Sequence, residues 1–460
     1  MKKSAVIFSL IFFGLVYGDW EWSPIRDHGA NGVVLEAVHF FDTLHGIIGG
    51  MYSTTGQGLM DGYGNILVGP TDEIGAYLAH SNDGGITWER RDIAGIDVIY
   101  DIRFIDRDTG WLAGVNWSGS CGGVIFKTTN GGAAWDLVYF DTSVNIIHKI
   151  AFPTPLEGYF VGATKYSNPS SNCGTYFNDD LTVVGKTSDG GKTWTTTVLH
   201  DLRSGASDIF FTCADTGWIT GNEKLIRTVD GGNTWNLVSF PVGAYSLFFV
   251  DGKKGWVGGK RRSIYYTEDG GNKWDIIYDV SSSLEYEPIR AIHFVNDSVG
   301  WAFSGGRVTG MQFSNKTFLI QNGKAKEIIM RDGLFDSHNW RYGKRVFFVG
   351  SNHGWIVGDF PIVIRTTDNG GFPQPVSVKH GLRQKQTVPA QFVSISNRTL
   401  NLRLSDRGKV DIYALNGAKL HSLDFAQGSH IHRLNDLPRG MYVVRATSGA
   451  WKQSVRMVVK

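Results

Sequence analysis

One eight-residue pattern recurs along the chain and constrains its fold more than anything else in it. Thr187–Trp194 reads TSDGGKTW. Ser81–Trp88 (SNDGGITW), Thr128–Trp135 (TTNGGAAW), Thr228–Trp235 (TVDGGNTW) and Thr267–Trp274 (TEDGGNKW) repeat it, and Thr367–Gly371 (TDNGG) stops before the tryptophan. The chemistry is that of a tight hairpin turn. An Asp or Asn side chain accepts hydrogen bonds from the backbone just ahead, and the Gly pair supplies the positive φ of the bend. The Trp then opens the next strand and buries a large apolar area between layers. Asp83, Asn130, Asp189, Asp230 and Asp269 are therefore read as structural residues that hold turns.

A second motif precedes each turn: an apolar strand ending in Phe, a short turn, then Gly and an aromatic or aliphatic residue. It occurs around Phe40, Phe104, Phe152, Phe211, Phe249, Phe294 and Phe348. From Gly46 to Gly354 the period is about 51 residues, the range of propeller blades. Each repeat reads as four strands, and the chain, at 460 residues, exceeds what one core covers. Repeat six lacks the turn pattern, but Asn322-Gly323 between two apolar runs signals a type I′ hairpin. Repeat seven ends after its third strand. The sequence Trp20-Glu-Trp22 resembles the opening of a fourth, so the N-terminus is expected to complete the last sheet and remove an exposed edge.

The turn pattern resembles the Asp-box (BNR) repeat of sialidase-like β-propellers. The whole repeat is similar to that of the photosystem II stability/assembly factor propellers over about residues 19–372. The resemblance implies an all-β fold, a seven-bladed β-propeller. It implies little about function, since the Asp of the box serves the turn.

Met1–Gly18 reads as a Sec signal peptide. Lys2 and Lys3 form its positive region, and Ala5–Val16 is an apolar run too short to span a bilayer. No later stretch is long enough for a transmembrane span. The formal charge of +2 gives no reason to expect nucleic acid as a partner. Of three cysteines, Cys121 and Cys173 fall in equivalent inserted loops, either as a disulfide or as two free thiols. Cys213 is expected as a small buried residue. No spacing points to a metal site, and no cofactor is expected.

Residues 373–390 read as a linker, and 391–460 as seven short strands of a small Ig-like β-sandwich. Val410-Asp-Ile-Tyr-Ala-Leu-Asn-Gly417, Leu437-Pro-Arg-Gly-Met-Tyr-Val-Val444 and the terminal Val455–Lys460 resemble the type A sorting domain of type IX secretion. That resemblance implies export through the type IX machinery to the outer-membrane surface or beyond.

In a propeller the first strand of each blade lines the axis. Three or four residues before each Phe, at the channel mouth, stand Glu36, Asp101, His148 with Lys149, Asp208, Tyr245, Arg290 and Arg345. Long loops between second and third strands, Tyr52–Ala79, Val115–Gly123 and Ala163–Leu181, add Trp117 and Tyr166 on the same face. Aromatic faces with scattered carboxylates suit an extracellular glycan or protein ligand; the same aromatics could instead fold down onto the blades. The leading expectation is a secreted binding or scaffolding module. The alternative is a glycoside hydrolase, sialidase-like or xyloglucanase-like, with Asp101 and Asp208 as its carboxylates. Trp111, Trp218, Trp256, Trp301 and Trp355 repeat at one structural place and are read as inter-blade packing.

Overall fold

The computed structural model describes residues 17–18, 20–22, 32–53, 74–118, 121–164, 181–203, 206–221, 223–280, 287–308, 312–330, 343–358 and 362–368 of the repeat region. In the tail it describes 392–396, 399–404, 407–414, 419–434, 437, 440–448 and 451–459. Every extended element is a β-strand. The chain divides into two compact units, Met1–Gln374 and Pro375–Lys460.

Among the described residues the first unit holds seven sheets; five are antiparallel and laid down in chain order, and the sixth and seventh each add a strand from the N-terminus. The first strands are Val33–Phe40, Val98–Phe104, Val144–Ala151, Ala206–Phe211, Ala244–Phe249, Ile289–Phe294 and Gly343–Val349. Each packs against the first strand of the next sheet, and Gly343–Val349 packs against Val33–Phe40. The seventh sheet takes its fourth strand from the N-terminus, with Trp20, Glu21 and Trp22 paired antiparallel to Thr366, Arg365 and Ile364. Tyr17–Gly18 pairs in parallel with Ile329–Met330 at the edge of the sixth.

Aromatic stacking between sheets explains the Phe…Gly-Trp motif. Phe152 stacks on Trp111 of the preceding sheet with centroids 3.5 Å apart and planes at 8°. The same pair recurs as Phe249 on Trp218, Phe294 on Trp256 and Phe348 on Trp301, at 3.6–3.7 Å. Phe40 on Trp355 joins the last sheet to the first at 3.5 Å, and Phe211 stacks on Tyr159. The five Gly-Trp tryptophans are at most 2% exposed, so they are packing residues. In the five sheets with a complete box the Phe also meets the box Trp of its own sheet edge-on, as in Phe152–Trp194 at 6.1 Å and 89°. The Gly before each Trp leaves room for that Phe: a Cβ at Gly255 would come within 2.2 Å of the Phe249 ring.

The boxes close as the sequence chemistry requires. Thr187 Oγ1 donates to Asp189 Oδ1 at 2.8 Å and accepts from Gly191 N at 3.0 Å, while Asp189 Oδ1 accepts from Thr193 N at 2.9 Å. The same bonds recur at Asp83, Asn130, Asp230 and Asp269. Both glycines have positive φ in all five boxes, as in Gly190 at 75° and Gly191 at 91°. The first Gly also donates to a carbonyl of the turn between first and second strands, Leu156 O for Gly190 at 2.7 Å, so two turns are tied on one face. The sixth copy is shifted by one residue from the sequence reading: Thr366 Oγ1 donates to Asp368 Oδ1 at 2.7 Å, which puts Thr366 in the box Thr position. In repeat six Gln321 pairs with Lys324 across Asn322 (φ 52°) and Gly323 (φ 71°).

Among the described residues the second unit has seven strands in two sheets, one of three strands and one of four. Its core is Leu400, Val410, Ile412, Leu434, Leu437, Tyr442, Val444 and Ala446. The motif residues Val410, Ile412, Leu437, Tyr442 and Val444 thus build the interior of this unit.

Candidate functional site

A feature hidden from period-2 reading shapes the axis. Every first strand carries a register shift four residues before its Phe, at Glu36, Tyr100, His148, Ser207, Tyr245, Arg290 and Lys344. A bulge adds one residue to one strand and re-aims the side chains beside it. The single ring expected at the mouth is therefore two. Glu36, His148, Tyr245 and Arg290 occupy the bulge, whereas Asp101, Asp208 and Arg345 stand one residue further in. Lys149 shares their level, and Tyr100, Ser207 and Lys344, unremarked in the sequence, complete the bulge ring. Aligning the repeats at Phe and reading the fourth column upstream would have found all three.

Nearest the Phe end is an aromatic layer. His39, Phe347, His293, Phe248 and Phe210 touch in succession, with centroids at 5.1, 4.6, 5.9 and 5.0 Å. Burial lowers the pKa of His39 to about 3 and of His293 to about 4, so both are neutral at pH 7. Arg103 holds the corresponding position in the second sheet.

Above this layer lie the charges. Asp101 is 4% exposed and takes Lys149 Nζ at 3.0 Å, Arg103 Nε at 3.1 Å and Ile150 N at 3.2 Å. Burial raises its carboxyl pKa, but Arg103 and Lys149 outweigh that and hold it below its ordinary value. Burial and Arg345 lower the Lys149 pKa to about 8 against the pull of Asp101. Asp208 accepts from Leu247 N of the next sheet at 3.2 Å. Burial pushes its pKa up despite Lys149 and Arg103. Glu36 is ion-paired with Lys344, which, with Arg345, overcomes the burial that would raise its pKa. Burial lowers the His148 pKa to about 4. Tyr245 Oη donates to Glu223 Oε1 at 3.3 Å, and Arg290 Nε donates to Gly305 O at 2.6 Å.

The axial cavity inside these layers has a volume of about 70 Å³. Sites for sugar-sized ligands are several times larger, about 300–1,000 Å³. Two of the candidate carboxylates, Asp101 and Asp208, each accept from a main-chain amide of the following sheet, so they serve inter-sheet bonding.

Trp117 is partly buried against the cluster that includes Val34, Val98 and Tyr100, its loop held by Asp97, which accepts from Trp117 N at 2.5 Å and Ser118 N at 2.8 Å. Tyr166 and the greater part of the long loops of repeats one and three lie outside the described residues. The second and third strands of the sixth sheet, Val299–Val308 and Gln312–Gln321, are ten residues each; this long hairpin was not foreseen. Cys121 is disulfide-bonded, and Cys173 lies outside the described residues. Cys213 is exposed, contrary to expectation, because its strand ends at Phe211 and the thiol sits in the turn. Among the described residues no group of three or more His, Cys, Asp or Glu could hold a metal, and no helix is long and apolar enough to cross a membrane.

Fold and site together define a β-propeller-like protein built on Asp-box repeats around a narrow charged axis. Residues 187–308 match the family model described as photosynthesis system II assembly factor YCF48. The chain is 37% identical over 76 residues to the photosystem II stability/assembly factor HCF136 of Arabidopsis thaliana, a match covering 15% of this chain and 19% of that protein. It is 23% identical over 264 residues to the photosystem II assembly lipoprotein Ycf48 of a Synechococcus strain, covering 45% of this chain and 72% of that one. Among solved structures, YCF48 bound to D1 peptide superposes with a TM-score of 0.51 at 15% identity, over 77% of this chain and 98% of that one. The GH74 xyloglucanase from Xanthomonas campestris gives 0.50 at 11% identity, over 95% and 75%. At these identities the structural likeness speaks for the fold.

Proposed function

We propose that this protein is a seven-bladed β-propeller displayed at or beyond the outer-membrane surface, acting as a binding or scaffolding module. In this reading residues 1–18 are a signal peptide, 19–372 the propeller, 373–390 a linker, and 391–460 an Ig-like sorting domain for type IX secretion. The observation that carries the binding reading is the state of the axial carboxylates. Asp101 is engaged by Lys149, Arg103 and Ile150 N, and the cavity beside it is too small for a sugar ring. The partner is a protein or peptide presenting acidic groups to the axis, where Arg290 stands in the bulge and Arg345 one residue further in. That a propeller of similar fold binds the D1 peptide supports a peptide ligand here. The test is a binding screen of the secreted chain against acidic, basic and neutral peptides and against a glycan array. Binding of acidic peptides that weakens with salt and with Arg290→Gln is the expected result. Binding to glycans alone would overturn the peptide assignment.

A glycoside hydrolase remains the second reading because one observation favours it. Asp101 is held ionised while the Asp208 pKa is raised, a split that acid/base pairs use. Release of reducing sugar from any polysaccharide in a broad panel, abolished in both Asp101→Asn and Asp208→Asn while binding persists, would establish it.

Export is tested separately. Deleting 391–460 should strand the protein in the periplasm of a host with type IX machinery, and intact mass of the exported form reads any processing. Export undiminished by the deletion would remove the sorting role.

A further inference from the structure

The axial cavity is lined by more positive charge than its own carboxylates balance. Arg103, Lys149, Arg290 and Arg345 face it with Asp101 and Asp208, four cations against two acids. The Glu36 carboxylate is already paired with Lys344, and the histidines of the axis are neutral. Asp101 takes both Lys149 and Arg103. Among the described residues Arg290 and Arg345 have no carboxylate within salt-bridge reach. Arg290 donates to Gly305 O at 2.6 Å and Arg345 to Lys344 O at 3.0 Å. Arg345 Nε is buried with no hydrogen-bond partner.

An unmatched guanidinium N–H away from solvent is costly. Fixed cations around a small cavity make a site that an oxyanion completes through short charge-assisted hydrogen bonds. The volume of about 70 Å³ accommodates a few waters, each needing about 10–15 Å³ by this measure, or one small oxyanion group in their place. We infer that the axial cavity is an anion site taking a single carboxylate- or phosphate-sized group on Arg345, with Lys149 and Arg290 completing its charge.

Two sources supply that chemistry: a free inorganic anion, or a carboxylate on a partner peptide. Only the second rests on the binding function proposed above. Thermal unfolding of the full secreted chain in phosphate and in acetate, each against chloride at equal ionic strength, separates them from general salt effects. A bound anion raises the midpoint in proportion to log concentration once the site is filled. The same titration on Arg345→Gln should lose that slope, and on Arg345→Lys retain part of it. Should Arg345→Gln fail to fold, Arg290→Gln, at the exposed edge, should show a reduced slope. The second arm measures binding of an acidic peptide with a free C-terminal carboxylate and of its amidated, side-chain-neutral form. Phosphate or acetate stabilisation that depends on Arg345 supports a free ion. Carboxylate-dependent peptide binding that depends on Arg345, without an inorganic effect, supports a partner's group. Equal slopes in wild type and both Gln variants, together with peptide binding indifferent to carboxylates, would overturn the anion site. In that case binding of neutral peptides would still leave the propeller a binding module.

Discussion

The turn boxes and the axial mouth are built by opposite rules from the same repeats. At the boxes, five copies make the same hydrogen bonds to within a few tenths of an ångström, with the same two glycines at positive φ. At the bulge above the axis, seven equivalent positions carry Glu36, Tyr100, His148, Ser207, Tyr245, Arg290 and Lys344, no more than two of them alike. The bulge itself is as regular as the box. Repetition therefore marks what every sheet needs to fold and pack. Variation on a regular backbone marks where side chains have been free to acquire separate tasks.

The comparison breaks first if the repeated aromatic stacks are dispensable. Trp301 is fully buried and lies flat on Phe348 of the next sheet at 3.6 Å. Trp301→Ala is expected to cost about 3–5 kcal/mol, measured by urea unfolding. A loss under about 1 kcal/mol would mean that sheet-to-sheet stacking is not what holds the ring of first strands together.

At the axis the sharper test sets two identical changes against each other. Asp101→Asn strips the carboxylate from between Lys149 and Arg103 and is expected to cost about 3–5 kcal/mol at neutral pH. The Asp101 pKa is depressed in the fold, so its stabilisation is present above the ordinary value of 3.8 and lost as pH falls through the folded value. The Asp208 pKa is raised. Its contribution is fully present below 3.8 and declines as pH rises through the folded value. Between pH 3 and pH 6 the stability of Asp101→Asn relative to wild type should therefore fall, and that of Asp208→Asn should rise. Parallel curves for the two variants would show that the axis does not distinguish its carboxylates.

Inside the box the effect is smaller. Thr228, fully buried, accepts from Gly232 N at 2.8 Å and donates to Asp230 Oδ1 at 2.8 Å. Thr228→Val keeps the shape and strands the Gly232 amide, at about 1–3 kcal/mol. The matched change Thr187→Val in another box should cost the same, since the two turns share their bonds. A difference above about 1 kcal/mol between them would contradict the uniformity of the box face.

Much of this was legible in the chain, for a physical reason. Phe249, Gly255 and Trp256 must be those residue types: the Phe ring occupies the space a Cβ at the Gly would need, and lies against the Trp of the neighbouring sheet. Constraints of that kind write themselves into the sequence at a fixed period. The N-terminal pairing of Trp20–Trp22 was legible because a sheet lacking a strand at one end of the chain matched a strand lacking a sheet at the other. The bulge was not legible. It inserts one residue without changing residue type, so Glu36 and Arg345 looked like members of one ring, and Lys344 went unremarked although it neutralises Glu36. Nor could spacing show that Asp97 reaches twenty residues along the chain to hold the loop at Trp117.

The smallest effect tests the rule where the box face departs from itself. Two residues after the Phe, Asp42, Asp106, Asp251 and Asn296 each accept two backbone N–H groups of the turn that follows, and Thr154 accepts one. In the fourth sheet Cys213 occupies that place. Burial would raise its thiol pKa, but the N–H groups of Asp215 and Thr216 outweigh burial and hold it below its ordinary value. The turn thus offers the thiol the same two donors it offers a carboxylate elsewhere, and sulfur is the weaker acceptor. Cys213→Asp should therefore stabilise the protein by about 0.5–1 kcal/mol, read as a small upward shift in the thermal midpoint. Cys213→Ala, which leaves both donors to water, should destabilise slightly. If Asp proves no better than Ala, this turn is closed by its backbone alone, as a turn with Gly350 at that place must be, and the capping side chain that recurs in five of the other sheets is a convenience there rather than a requirement.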